Sequence, residues 1–412
     1  MFLLGIRRKM AFLRIFAVVF LVVAVMAVGD ARAIDLLGDK LAIHGFASQG
    51  YLDSTGNNYL TASRNGTFQL NEFGLTLTSR LTDKFHLGAQ FLSRDYGTVG
   101  NNEVRLDWAL ADYRFHDLLG LRIGKIKRPM GFYNEERDSD FLRPMVFLPQ
   151  SIYDETRRDM LIACIGGGVY GNVPAGILGD FDYQFFRGWF DFPDDSTIAR
   201  VTRMSAQNIA SRKNLGTVTD LDMDNKYVVG AQVIFNTSID GLRGAVSWQR
   251  GRHELILNNG ALPSGDLAIR GKYVYSLEYV NGPLTLAGEY AETDREQKLF
   301  GTRTVDGRTQ EWYVMGTWAF NEQVSLSLLY DLFYSDKHDH DGTYFTRQGK
   351  PDYLAWRKDF GAGVRFDLTP SWTVKAEWHE VDGAALYLEL YNSLQNIKRR
   401  WGYGVVKVSY NF

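Results

Sequence analysis

The sequence has little cysteine and little proline. One cysteine, Cys164, and nine prolines stand among 412 residues. A single cysteine excludes an intrachain disulfide, so the fold is not a disulfide-stabilised scaffold. No Pro- or Ser-rich linker, charge block or low-complexity stretch divides the chain. The sequence therefore indicates one domain.

Long apolar runs and an excess of positive charge are also missing. After residue 33, no run approaches the ~20 apolar residues that a transmembrane helix needs. The formal net charge is −2. Nucleic-acid binding requires a concentrated basic surface, so we expect no nucleic-acid partner.

The first 33 residues have the three parts of a secretory signal peptide. Basic residues at 7, 8, 9 and 14 precede an apolar run over 15–29, and Ala31-Arg32-Ala33 forms a small-x-small cleavage site. The apolar run is too short for a spanning helix. We therefore predict a signal peptide at 1–33 and a mature, exported domain at 34–412.

Apolar and polar residues alternate along most of the mature chain. In 324–334, for example, Val324, Leu326 and Leu328 share one face, while Ser325 and Ser327 share the other. This period of two predicts strands with one face in an apolar medium and one in a polar medium. The pattern predicts an all-β fold with sixteen strands, near 40–51, 67–81, 85–94, 103–115, 121–128, 160–173, 181–191, 226–236, 242–250, 270–280, 284–292, 309–320, 324–335, 355–367, 372–382 and 400–412.

The connections between these strands alternate between short and long. Tight turns such as 82–84, 281–283 and 321–323 alternate with long connections such as 129–159 and 192–224. An antiparallel barrel that crosses a bilayer has one rim of tight turns and one of long loops. We therefore predict a single transmembrane antiparallel β-barrel of about 16 strands, with short periplasmic turns and long external loops, including long loops at 251–268 and 293–308.

A barrel of this size has a wide interior. About sixteen strands leave a lumen too wide for side chains to fill, and the mature chain has no added N-terminal domain to plug it. The sequence therefore predicts a water-filled channel for passive diffusion of small hydrophilic or charged solutes, without a cofactor, a metal or an enzymatic activity.

The connection between the fifth and sixth predicted strands is dense in charge and also carries Phe132, Phe141, Phe147, Leu148 and Tyr153. A solvated loop has no use for these apolar residues, so we expect the loop to fold into the lumen. Clustered charges at a constriction set ion selectivity. We predict a pore constriction in which basic wall residues face the charged loop, formed by Arg94, Arg105, Asp107, Arg122, Lys125, Lys127, Arg128, Glu135, Glu136, Arg137, Asp138 and Arg143.

Several motifs resemble those of Gram-negative outer-membrane porins. The chain looks like the sixteen-stranded porins whose third external loop narrows the channel, and 124–131, Gly-Lys-Ile-Lys-Arg-Pro-Met-Gly, is similar to a motif of the phosphate-selective type. The opening at 41–52 resembles the first strand of uncharacterised proteobacterial porins, and the terminal Phe412 resembles the assembly signal of outer-membrane barrels. The resemblance implies location in the outer membrane, contact with its lipid, and a homotrimer. It does not extend safely to anion selectivity, because acidic residues directly follow the basic ones.

Other readings of the sequence remain open. A barrel hydrolase would need a nucleophile or paired carboxylates beside a histidine, and His379 near Glu377 is the best candidate. A mainly structural or adhesive barrel would bind partners through loops such as 192–224. The run His338-Asp339-His340-Asp341 could collect a metal ion, although adjacent side chains diverge, which favours a solvated loop.

Overall fold

The computed structural model describes residues 34–36, 40–97, 99–190 and 192–412. The predicted signal peptide, 1–33, lies outside them. The described chain forms one sheet of seventeen strands. Their bounds are β1 Ile34–Leu36, β2 Leu41–Thr55, β3 Asn71–Thr82, β4 Phe85–Asp95, β5 Arg105–His116, β6 Leu119–Lys127, β7 Ala163–Pro174, β8 Gly179–Trp189, β9 Leu221–Thr237, β10 Leu242–Leu257, β11 Leu262–Asn281, β12 Leu284–Leu299, β13 Thr302–Ala319, β14 Val324–Tyr334, β15 Trp356–Thr369, β16 Trp372–Gly383 and β17 Arg400–Asn411.

The sheet closes into a barrel of sixteen strands, β2 to β17. Each of these strands pairs antiparallel with the next one, and β17 pairs with β2, so that Val406 lies opposite Tyr51. The terminal Phe412 and Gly45 exchange main-chain hydrogen bonds of 3.0 and 2.9 Å across this seam. The three-residue β1 adds a short pairing to β2 only.

Alternation decides which side chains face out of the barrel. On β14, Leu328 and Tyr330 are 48% and 38% exposed, whereas Ser327 and Asp331 are buried. Large exposed apolar residues such as Trp318 and Trp378 continue this outer surface on β13 and β16. The barrel therefore has an apolar exterior and a polar inner face, which is the reverse of a soluble β-sandwich.

Helices are few among the described residues. They are α1, Arg158–Leu161; α2, Thr197–Arg212; and α3, Thr343–Thr346, with six short 3-10 turns. In the described part of the chain, no helix has the length and apolar character needed to cross a membrane.

The prediction of a closed barrel with sixteen antiparallel strands is confirmed, but two predicted loops are wrong. Residues 251–268 and 293–308 largely continue the strands β10 to β13, which leaves only 258–261 and 300–301 as connections. In these outer parts the outward face carries charged residues such as Arg252 and Lys298, so the apolar alternation that marks a strand disappears. Ion pairs hold them instead, as between Arg270 and the carboxylates of Asp294 and Asp306, at 2.6 and 2.7 Å.

The helix α2 was also missed, since it lies in a stretch predicted as a long loop. Its buried residues are small, among them Ala199, Ala206 and Ala210, so the stretch has a weak apolar periodicity. This small face packs with Leu255, Leu299 and other apolar residues at the outer end of the tall strands β10 to β12.

Candidate functional site

Residues 128–162, which connect β6 to β7, form the 128–162 segment. It contains α1 and the 3-10 turns Asp140–Leu142 and Glu155–Arg157. Its apolar side chains are buried, including Met145, Phe147 and Tyr153, each at most 1% exposed. The segment is therefore packed within the protein rather than solvated.

Carboxylates of the barrel wall accept hydrogen bonds from the main chain of this segment. Glu289 on β12 accepts from the Phe132 N–H at 2.8 Å and from the Tyr153 hydroxyl at 2.5 Å. Asp331 on β14 accepts from the Ser151 N–H at 3.1 Å. Such contacts satisfy backbone groups that burial would otherwise leave without partners.

The opposite part of the segment is anchored by Asp140. This buried carboxylate lies 3.0 Å from the Lys407 ammonium on β17, 3.4 Å from the Lys375 ammonium on β16 and 2.8 Å from the Arg143 guanidinium. Burial alone would raise the pKa of Asp140, but the positive charges outweigh burial and hold the pKa well below its usual range. The carboxylate is therefore ionised and holds the segment to two strands at once.

A third anchor joins the segment to β4. Glu155 pairs at 2.8 Å with Arg137 of the segment and at 2.7 Å with Arg94 of the wall. Burial favours a raised pKa of Glu155, yet the two guanidinium groups prevail and lower it. Arg158 of the segment forms a bidentate ion pair with Asp107 of β5, in which both N–O distances are 2.6 Å.

Four of the predicted constriction residues form two pairs of opposite charge between the wall and the 128–162 segment. The Arg122 guanidinium on β6 lies 3.8 Å from a Glu135 carboxylate oxygen, and the Lys127 ammonium lies 2.8 Å from Asp138. Arg122 and Glu135 border a turn-side cavity of about 750 Å³ that also reaches Arg80 near the tight turns. Basic wall residues thus lie beside acidic residues of the 128–162 segment, and Arg122 and Glu135 both border this cavity.

The other predicted residues have different surroundings. Arg94, Asp107, Arg137 and Arg143 are buried in the anchoring pairs described above. Arg105 pairs with Glu103 and Asp195, at 2.6 and 2.7 Å, and the Lys125 ammonium donates to the Leu106 carbonyl at 2.6 Å. Glu136 is exposed, and its N–H donates to the Tyr133 carbonyl at 3.2 Å.

Arg128 lies apart from the facing charges. Its buried guanidinium donates to the Met160 carbonyl and to the Gln249 side chain, and it stacks over the Phe190 ring at 4.6 Å. It borders a second cavity of about 350 Å³ on the loop side of the barrel.

Several anchoring residues were not assigned a role from the sequence. Glu289, Lys375 and Glu377 are buried, and the structure joins each of them to the 128–162 segment. The available signal was a charged residue on the inner face of a predicted strand. Such a charge needs a partner from another element when it is buried.

The structure brings the hydrolase candidates His379 and Glu377 together in a buried position, and it stacks His340 of the metal candidate on a tyrosine. The His379 imidazole is buried, lies 2.9 Å from Asp359 and 3.2 Å from Glu377, and stacks on Tyr403. His340 stacks on Tyr334 at 3.9 Å. Among the described residues, no group of three or more His, Cys, Asp or Glu side chains is arranged to hold a metal ion.

Solved outer-membrane proteins share this architecture. Salmonella typhi OmpF, in a complex with daunomycin, aligns with a TM-score of 0.59 at 14% identity, covering 92% of this chain and 100% of that chain. The chain has the fold of outer-membrane porins. The high-pH structure of Pseudomonas putida OprB gives 0.54 at 12% identity, covering 90% and 94%.

A third structure with this porin fold is the loop-L8 deletion mutant of Vibrio cholerae OmpT, an outer-membrane protein. It aligns with a TM-score of 0.52 at 10% identity, covering 90% of this chain and 99% of that chain. No family model matches the sequence, and no curated protein matches it. At these identities the likeness concerns the porin fold alone, and the resemblance to the phosphate-selective type stays a prediction.

Proposed function

We propose that this chain is a porin, which forms a water-filled channel for passive diffusion of small hydrophilic or charged solutes across the outer membrane of a Gram-negative bacterium. One observation carries the proposal: a closed barrel of sixteen strands has an apolar exterior and a charged interior. A closed ladder satisfies every strand edge in lipid, and the polar inner face retains water.

The 128–162 segment is proposed to fold into the lumen and narrow it. The support is its attachment to wall residues far apart around the ring, from Arg94 on β4 through Glu289 on β12 to Lys407 on β17. A solvated external loop would not bring its main chain to these inward carboxylates and ammonium groups.

At the narrowed point, Arg122 and Lys127 are proposed to line one side and Glu135 and Asp138 the other. Opposite charges across a narrow aqueous gap produce a transverse field, and the surrounding low-dielectric wall concentrates it. Such a field orders water and favours charged or zwitterionic solutes over apolar ones. Transport in this proposal involves no enzymatic step, and we propose a homotrimer on the basis of the resemblance to porins.

The proposal is tested by recording conductance in planar bilayers under a salt gradient. We expect step-like insertions for the wild type. Arg122→Ala should raise the cation-to-anion permeability ratio roughly twofold, about 0.4 kcal/mol, because a partly exposed positive charge is removed. Glu135→Gln should shift the ratio in the opposite direction.

The matched control is Arg399→Ala, whose exposed guanidinium pairs with Asp382 at 2.7 Å, away from the proposed constriction. Its reversal potential should equal that of the wild type. A folded protein that never conducts would refute the channel, and equal shifts in Arg122→Ala and Arg399→Ala would refute the assignment of the constriction.

A further inference from the structure

The loop-side cavity is lined by several strands of the tall side of the barrel and by three of the connections. The 128–162 segment contributes Met160, helix α2 contributes Ile198 and Val201, strand β12 contributes Arg295, and the last long connection contributes Leu388. Its volume of about 350 Å³ is within the range of sites for small organic ligands. It shares no lining residue with the turn-side cavity.

The charges that border this cavity do not balance. Asp154 pairs with Arg157 at 3.2 Å, and Glu311 pairs with Lys272 at 2.7 Å, so both bordering carboxylates are already neutralised. The guanidinium groups of Arg128 and Arg295 also border the cavity. Within the described residues, neither guanidinium forms an ion pair with a carboxylate. Arg250 also borders the space, but its side chain is exposed.

The unpaired charge of Arg128 is unfavourable for the free energy of the fold, because its guanidinium is buried. Arg128 is 5% exposed, and its guanidinium is bound only by a carbonyl, an amide oxygen and aromatic rings, while its Nε is buried without a partner in the described structure. A buried cation without a counter-ion costs several kcal/mol. An anion in the adjoining space would offset that cost.

Part of the remaining lining is apolar, beside hydroxyl and amide side chains such as Ser205 and Gln297. Met160, Phe190, Ile198, Val201 and Leu388 give the space a wall that an inorganic ion would not use. A ligand that fits both features carries an anionic group on a compact apolar body. A cation would meet two uncompensated positive charges.

We propose that the loop-side cavity is a binding site for a small organic carboxylate with an apolar body, held by Arg128 and Arg295. The inference rests on the proposed channel function and adds a substrate class to it. The anion binds on the loop side of the barrel, before it reaches Arg122 and Glu135. Preference for such solutes therefore arises at this cavity rather than between Arg122 and Glu135, where the charges are largely matched.

The test is isothermal titration calorimetry on the folded, detergent-solubilised full-length barrel. The probes are benzoate, its uncharged analogue benzamide, and inorganic phosphate. We expect benzoate to bind more tightly than either of the others. Arg295→Gln should weaken benzoate binding about tenfold, because a charge-assisted hydrogen bond is lost. Arg295→Lys, which keeps the charge, should lose less.

The control is Arg303→Gln, which removes an exposed guanidinium that pairs with Glu296 on the neighbouring strand and with Asp306 on its own strand. It should bind benzoate as the wild type does. The proposal is overturned if benzamide or phosphate binds as tightly as benzoate, or if Arg295→Gln leaves benzoate binding unchanged. It is also overturned if the two variants weaken binding equally.

Conductance of the same preparations separates the two proposals. A protein that conducts but does not bind benzoate refutes the carboxylate site and leaves the channel standing. A protein that binds benzoate but never conducts refutes the channel function and leaves the site as a ligand pocket.

Discussion

Glu155 shows how a single buried carboxylate can hold a long segment in place. It accepts from Arg137 and Arg94 and, through its own N–H, donates to Gln150 at 3.1 Å. Breaking a buried pair by removing one partner costs about 3–5 kcal/mol, because the remaining charges are left without compensation. The position of the 128–162 segment therefore depends on ionisation at this point.

The pH dependence follows from the direction of the pKa shift. Burial would raise the pKa of Glu155, but Arg137 and Arg94 lower it, so the folded value lies below the unfolded value of about 4.3. The stabilisation is present above the unfolded pKa and is lost as the pH falls through the folded pKa. We expect quiet single-channel currents from pH 8 to about 5 and larger fluctuations in acid.

Glu155→Gln should show such fluctuations already at neutral pH and respond less to acid. The control is Asp83→Asn, in an exposed pair with Arg80, which should behave as the wild type does. Currents from Glu155→Gln that stay quiet at neutral pH would contradict this account.

Only some residues of the candidate site could be predicted from the sequence. The charged residues Arg122, Lys127, Glu135 and Asp138 could be selected from their density and alternation. Long-range partners such as Asp140 and Lys407, 267 residues apart, could not be paired without the closed ring. The lack of a carboxylate partner for Arg128 likewise depends on the three-dimensional packing, so it could not be predicted from the sequence.

At the scale of elements, local periodicity identified strands wherever one face was apolar. Strand β14 is predicted at 324–335 and observed at Val324–Tyr334. Where the outward face is charged instead of apolar, as in 293–308, the periodic signal vanishes although the hydrogen-bonded ladder continues. Helix α2 was missed because a face of alanine and threonine has little hydrophobic contrast.

The start of α2 offers a test at this scale. The Ser196 hydroxyl accepts from the Ala199 N–H at 3.3 Å and caps the helix. Ser196→Ala should destabilise the helix by about 1 kcal/mol. Hydrogen–deuterium exchange over 197–212 should accelerate roughly fivefold, with no change in the barrel strands. Ser196→Asp, which can also cap, should exchange as the wild type does, and equal acceleration in both variants would exclude a capping role.

For the whole molecule, stability depends on closing the ring between β17 and β2. The seam includes the pairs Ser409–Ser48 and Tyr410–Ala47, and beyond them Phe412 pairs with Gly45. Removing residues 409–412 opens this end of the seam and exposes two strand edges, which lipid cannot satisfy.

We expect refolding of the 409–412 deletion in detergent to yield a much smaller compact fraction, measured by gel mobility in SDS without heating. The control is deletion of residues 34–36, which make only three pairs outside the closed ring. It should refold as the full mature chain does. Equal compact fractions for the two deletions would show that the seam is not decisive.

The wall of the barrel has two very different heights. Strands β3 to β8 have 9 to 12 residues, whereas β11 and β13 have 20 and 18. At about 3.3 Å per residue and a tilt near 40°, the longest strand rises roughly 50 Å, about twice the apolar band of a bilayer barrel. The side of the barrel formed by the long strands, including β11 and β13, therefore extends beyond the apolar band. In the proposed orientation, we expect large molecules outside the cell to contact this taller side before they reach the entrance of the channel.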